Sequence, residues 1–243
     1  MMSNARSILV KLLGFKELSR LGRSTIELND FKELQKAFGW KESPILDDPS
    51  IYDFDYIEDV NERRIRDAEV LGTVIRNTHP QVCLDIGTST GHSAALMAVN
   101  APKARIFTVN IPPEEILRGE GGELTTVALE REKIGSYYRQ RNLKNVTQIL
   151  ANTARWEPDI GEIDVAFIDG SHDAAFVYND TQKILKHMKP GSFILWHDFN
   201  LSLVAKYTWI HSVCSGVERL FESGVLKGRV FHVRDSWIGA YRL

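Results

Sequence analysis

Only two cysteines, Cys83 and Cys214, occur in the chain. That is too few for a disulfide framework, and a reducing, cytoplasmic setting is the simpler expectation. No apolar run approaches the roughly 18 residues that span a bilayer. Net charge is −2 at pH 7, so no overall basic field draws the chain to nucleic acid or to an anionic membrane. Internal repeats and low-complexity tracts are missing too. A cleaved leader is not expected, because Lys11 interrupts the short apolar stretch Ser7 to Phe15 and no convincing small-residue cleavage site follows. What is present is enough apolar material, 43% of 243 residues, to bury a sizeable core.

Near the N-terminus, Ile8, Leu12, Phe15 and Leu18 recur at helical spacing among Arg6, Lys11, Lys16 and Arg20. This pattern suits a helix packed on the body or on a second subunit better than one lying on a membrane surface. Asp30 to Trp40 reads as a second, short helix, and Pro44 to Asp55 as a loop. Residues 1–55 are therefore expected to form a helical appendage, with the main domain over 56–243.

From there the pattern becomes regular. A helix is expected over Glu58 to Thr78, stopped by Pro80. Strand-like runs follow at 82–86, 105–111, 146–150, 163–168 and 192–196, mostly separated by helical stretches. Such alternation argues for an α/β fold with a parallel sheet covered on both faces. The runs at 163–168 and 192–196 are apolar without clean alternation, as central parallel strands are. After a helix from Leu203 to about Phe221, Arg229 to Arg234 and Trp237 to Arg242 are joined across Asp235-Ser236. That link permits an antiparallel pair but no parallel crossover. The expected architecture is a Rossmann-like, doubly wound, mostly parallel seven-stranded sheet ending in an antiparallel hairpin.

The stretch Asp85-Ile86-Gly87-Thr88-Ser89-Thr90-Gly91-His92-Ser93 links the first of these strands to an Ala-rich helix. A glycine turn in that place lets backbone N–H groups approach a ligand closely. A dinucleotide fingerprint needs glycines at 87, 89 and 92, and Ser89 and His92 stand there instead. Asp85 would also repel a pyrophosphate. The same carboxylate suits a ligand that carries an ammonium group. A nicotinamide oxidoreductase is disfavoured on both counts.

This loop resembles motif I of class I S-adenosylmethionine-dependent methyltransferases. It is most like that of the divalent-metal-dependent O-methyltransferases, where it runs acidic-Ile-Gly-Thr-x-Thr-Gly-Tyr-Ser. Phe167-Ile168-Asp169-Gly170-Ser171-His172 and Trp196-His197-Asp198 are similar to motifs of the related methyltransferase 24 group. The resemblance covers about residues 57–243. It implies S-adenosylmethionine as cofactor, with Asp85, Gly87, Thr88 and Ser93 lining its methionine part and Gly91 shaping the turn. It puts Asn110 at the ribose, where the family has an acidic residue, and Asn152 and Thr153 near the adenine. A plain turn-capping role for Asn152 and Thr153 carries equal weight.

Ligands in open α/β sheets bind beyond the carboxyl ends of strands. Asp169 and Asp198 follow the fourth and fifth strands, with His172 and His197 beside them. Asp169, Asp198 and His197 are candidate ligands for Mg²⁺ or another divalent metal. His172, with Asp169, is the candidate catalytic pair, since an imidazole can take a hydroxyl proton without any ion. The competing structural reading makes Asp169 or Asp173 the cap of a helix near Ala174 and Asp198 the cap of one near Leu201. In the metal-dependent relatives an Asn directly follows the second carboxylate, whereas Phe199 intervenes here.

The function expected is methyl transfer to a small-molecule hydroxyl. A degenerate nucleoside-binding domain and an N-methyltransferase are the alternatives. Expected partners are the small-molecule acceptor and a second copy of the chain through the N-terminal helix, without nucleic acid or membrane. Pro112 to Gly122 is read as a lid or a plain loop. Tyr137, Tyr138 and Trp156 are read as acceptor-pocket candidates or ordinary packing.

Overall fold

The computed structural model describes residues 18–46, 58–124 and 128–243. The helix expected over Ile8 to Leu18 lies outside them except for Leu18, as does most of the loop at 44–55. Among the described residues no helix is long and apolar enough to cross a membrane.

Eight strands form one sheet: β1 (Thr25–Leu28), β2 (Val82–Ile86), β3 (Arg105–Asn110), β4 (Val146–Leu150), β5 (Ile163–Ile168), β6 (Met188–Trp196), β7 (Val230–Val233) and β8 (Gly239–Arg242). Their spatial order is β1-β7-β8-β6-β5-β2-β3-β4. The five strands β2 to β6 run parallel, and β8 is antiparallel to both β6 and β7. This is the Rossmann-like sheet expected from the strand and helix alternation, with one strand more.

The addition is β1. Thr-Ile-Glu-Leu lies in the segment expected to be helical, yet it pairs parallel with β7 from Thr25↔Val230 to Leu28↔Val233. Four residues carry too little periodicity to reveal a strand whose partner lies about two hundred positions away. The short helix α1 (Ser19–Ser24) leads into it, and Phe31–Phe38 forms α2 within the stretch expected to be helical. Asp30 caps α2 by accepting Glu33 N–H, and Gly39 ends it at φ +70°.

Two apolar layers sandwich the sheet. On one face, Cys83, Ile106, Val165, Phe167, Phe193 and Leu195 pack under α3 (Glu58–Thr78), α4 (His92–Asn100) and Leu34. On the other, Leu84, Ile86, Ala166, Ile168, Ile194 and Trp196 pack under α7 (Ala174–Leu185) and α8 (Thr208–Glu222). Two short helices, α5 (Pro113–Leu117) and α6 (Ser136–Gln140), complete the chain order. Alternation along β2 therefore turns Asp85 toward α3 and α4, the face to which Cys83 belongs. Both cysteines are free and buried, and burial pushes both thiols up.

Side-chain amides fix the stretch after α2. Asn77 accepts from Lys41 and Glu42 N–H and donates to Glu42 C=O. Asn100 exchanges a matching pair of bonds with Ile45. Each amide stands in for a strand neighbour and meets a backbone that has no ladder of its own.

Candidate functional site

The site lies where β2, β3, β5 and β6 end. The turn after β2 is tight: Gly87 has φ +104°, and a Cβ there would stand 1.9 Å from the backbone oxygen of Asp169. Only glycine fits such an approach. Gly87 and Thr88 N–H both point at Val109 C=O, at 2.8 and 3.2 Å. Gly91, at φ +98°, starts α4 against the Tyr138 ring, where a Cβ would come within 2.6 Å.

Asp85 is fully buried. Its carboxylate accepts Thr108 Oγ1–H at 2.6 Å and Ser93 Oγ–H at 3.0 and 3.1 Å. Burial outweighs these bonds and pushes its pKa up to about 7. Of the pair, Ser93 is the one that reaches a cavity wall. Thr88 is also buried, and its hydroxyl is engaged by Thr108 and Gln148.

Asn110 lies at the end of β3, where its Oδ1 accepts Ser89 N–H at 3.0 Å and its Nδ2 donates to Ile111 C=O. It braces the glycine loop and lines the smaller cavity. Asn152 and Thr153 line the same cavity. Asn152 Oδ1 also accepts Ala154 N–H, and Nδ2 donates to Glu120 C=O. Turn capping and a place on the wall are therefore both real for Asn152. Thr153 Oγ1 donates to the buried Asp180, whose pKa burial raises to about 6.

The strand-end acids meet two histidines. His172 Nε2 is 2.9 Å from Asp198 Oδ2. Burial opposes its charge, but the Asp198 hydrogen bond and carboxylate outweigh burial and raise its pKa. His197 puts Nδ1 at 3.0 Å from Asp169 and 3.4 Å from Asp198, with Nε2 at 3.2 Å from Asp67 of α3. Its burial also opposes charge, yet Asp169 and Asp198 hold its pKa well above the ordinary value, and the two neighbouring imidazoles hold Asp198 below the carboxylate range. Asp67 in turn accepts Trp237 N–H at 2.6 Å. His197 thus ties α3 to the ends of β5 and β6.

Asp169, His172 and Asp198 bring one donor atom each within 4.8 Å of one another. His172 stands in this convergent set, and His197 turns Nδ1 to both of its carboxylates and Nε2 to Asp67. Asp198 sits at φ +53°, a backbone strained for a non-glycine residue, and Trp209 Nε1–H donates to it at 3.3 Å. Neither acid caps a helix. Ala174 N–H at the start of α7 goes to Ser212 Oγ, and Asn200 takes Ser202 N–H after β6.

Two cavities share Gly87, Ser89 and Asp169. The smaller, about 80 Å³, runs over the ends of β3 and β4 and is covered by Ile116 and Gly121. The larger, about 700 Å³, lies between the glycine loop, α3 and the Asp169–His172–Asp198 cluster. Its wall includes Arg64, His92, Trp237 and Ile238, which motif reading did not single out. Tyr137, Tyr138 and Trp156 line neither cavity. Tyr138 and Trp156 belong to the packed core, and Tyr137 stacks edge-on against His92. The segment after β3 is pinned by Arg155, which pairs with Glu115 and Glu120 at 2.7 and 3.1 Å.

Residues 84–199 match the family model described as a methyltransferase domain. This segment is a methyltransferase domain. Its glycine loop and both acidic strand ends fall inside the match. The domain's fold recurs in the SAH-bound methyltransferase PaMTH1 of Podospora anserina, 16% identical, over 87% of this chain and 94% of that one, with a TM-score of 0.53. It recurs also in the O-methyltransferase NovP, 12% identical, over 75% of this chain and 79% of that one, with a TM-score of 0.54. No curated protein matches the chain.

Proposed function

We propose that this domain moves the methyl group of S-adenosylmethionine to a hydroxyl oxygen of a small molecule. One observation carries the reading: Asp169, His172 and Asp198 converge at the large cavity, and Asp169 also borders the small one. A cosubstrate laid across the glycine loop thus brings its sulfonium beside the cluster, and an acceptor in the large cavity meets it there. The nucleoside end belongs over Asn110, Asn152 and Thr153, and the amino-acid end at Ser93 and the start of α4.

In the transfer, the acceptor oxygen forms a bond to the methyl carbon as the sulfur–carbon bond breaks, leaving S-adenosylhomocysteine. The hydroxyl proton goes to His172 Nδ1, while Asp198 holds Nε2–H and steadies the ring. Asp169 orients the acceptor and faces the positive sulfonium. Two carboxylates and one imidazole also fit a Mg²⁺ or Mn²⁺ ion. Such an ion, when bound, supplies charge that favours the ionised hydroxyl.

The test is product analysis with labelled S-adenosylmethionine across hydroxylated and aminated acceptors. Oxygen-methylated product is expected, and His172→Gln should lower its rate by about a hundredfold or more while S-adenosylhomocysteine still binds. A metal role predicts loss of turnover with chelator and recovery with Mg²⁺. Activity indifferent to both removes the metal. Asn110 favours a second reading, because it carries no charge and one acceptor site and one N–H of its amide already serve Ser89 and Ile111. Saturable cosubstrate binding without transfer to any acceptor would make the domain a nucleoside binder.

A further inference from the structure

Beneath the glycine loop runs a chain of polar side chains that methyl transfer itself does not use. Tyr138 Oη donates to Gln148 Oε1 at 2.9 Å, and Gln148 Nε2 donates to Thr88 Oγ1 at 2.9 Å. Thr88 and Thr108 hydroxyls are 2.7 Å apart, and Thr108 donates to Asp85 at 2.6 Å. Ser93 closes the chain on the same carboxylate. Thr88, Thr108 and Asp85 are buried, so water does not substitute for the links among these three.

With Asp85 ionised, as it is beside a bound ammonium group, the proton directions follow from counting. The carboxylate then only accepts, so Thr108 gives its single proton to Asp85. Thr108 oxygen is then left to accept from Thr88, and Thr88 oxygen to accept from Gln148. Gln148 Nε2 has two protons for three neighbouring acceptors, Thr88 Oγ1 and the carbonyls of Thr108 and Ile149, and the amide cannot turn over because its oxygen would then face those carbonyls. All donors therefore point toward Asp85. Ser93 gives its proton to Asp85 as well, and the lone pairs of its oxygen are what it offers to the large cavity.

We propose that Tyr138, Gln148 and Thr108 are positioning residues: they hold Asp85 as an oriented carboxylate so that Ser93 accepts a hydrogen bond from the ammonium group of the cosubstrate. None of the three lines either cavity, and they act through Asp85 and Ser93. The proposal rests on the cosubstrate reading above, and it goes further by assigning residues on α6, β3 and β4 to one end of that molecule.

Calorimetry with two ligands tests it. S-adenosylhomocysteine carries the amino-acid end; 5′-methylthioadenosine has the same nucleoside and thioether without it. Tyr138→Phe keeps the ring that packs on Gly91 and removes only the hydroxyl, and Thr108→Val removes the donor to Asp85. Each should weaken S-adenosylhomocysteine roughly fivefold, the worth of one hydrogen bond, and leave 5′-methylthioadenosine within about twofold. Thr108→Ser, which restores the hydroxyl, should recover the wild-type affinity. Equal weakening of both ligands overturns the proposal, as does no change in either. A wild-type protein that binds neither ligand overturns the cosubstrate reading and this proposal with it.

Discussion

At Asp85 the fold places a carboxyl group where water cannot reach it, and burial raises its pKa from 3.8 to about 7. An unfolded chain releases that proton at an ordinary carboxylate pKa. The folded state therefore binds the extra proton between roughly pH 4 and 7, and the stability this contributes is full below that window and lost as pH rises through it. Asp85→Asn has no such proton to lose. Denaturant unfolding from pH 4 to 8 should show the wild type falling relative to the variant, with Asp180 contributing equally to both curves. Parallel curves would mean that Asp85 titrates normally. Gly87 gives a second expectation at this scale. In Gly87→Ala the new methyl group meets the Asp169 backbone, with no flexible side chain to yield, and φ stays in the left-handed region. A loss of at least about 3 kcal/mol is expected in the same unfolding assay.

Among the elements, α1 and β1 are held from far along the sequence. The buried Glu218 of α8 accepts Arg20 and Leu21 N–H at 3.1 and 2.6 Å, satisfying donors at the open end of α1. Glu218→Ala leaves them without partners, and a cost of about 1–3 kcal/mol is expected. Hydrogen exchange should then quicken across residues 19–28 before the rest of the sheet; unchanged exchange there would show that Glu218 does not hold the segment. This contact also shows what a sequence conceals. The helix Glu58–Thr78, the strand runs and the terminal hairpin were legible, because each carries its own periodicity or turn chemistry. β1 was not, since its four residues become a strand only by lying against β7. The same limit applies in the site. Spacing brought Asp169, His172, Asp198 and His197 to one edge of the sheet, but the contact of His197 with Asp67 was not legible, because Asp67 arrives from a helix over a hundred residues earlier.

Over the whole molecule, the two cavities meet along a single line of backbone at Gly87, Ser89 and Asp169. A ligand that bridges them binds only the folded chain. At a concentration about a hundred times its Kd, S-adenosylhomocysteine should add about 2.7 kcal/mol of stability. For a chain of this size that corresponds to a rise of roughly 5–10 °C in Tm. NADH should give no shift, because Ser89 and His92 stand where a dinucleotide loop needs glycine. A larger shift with NADH than with S-adenosylhomocysteine would reverse the choice of cosubstrate.

The close approach of Gly87 to Asp169 also bears on how this enzyme can change its diet over evolutionary time. That seam has no slack, so inherited changes along it are removed by their effect on folding before selection can weigh their effect on acceptor choice. The opposite wall of the large cavity is built from Arg64, Ala68 and Leu71 of α3 and from Trp237 and Ile238 of the terminal hairpin. There side chains alone set the shape. New acceptors should therefore be gained by variation at those positions, beside a seam that stays fixed.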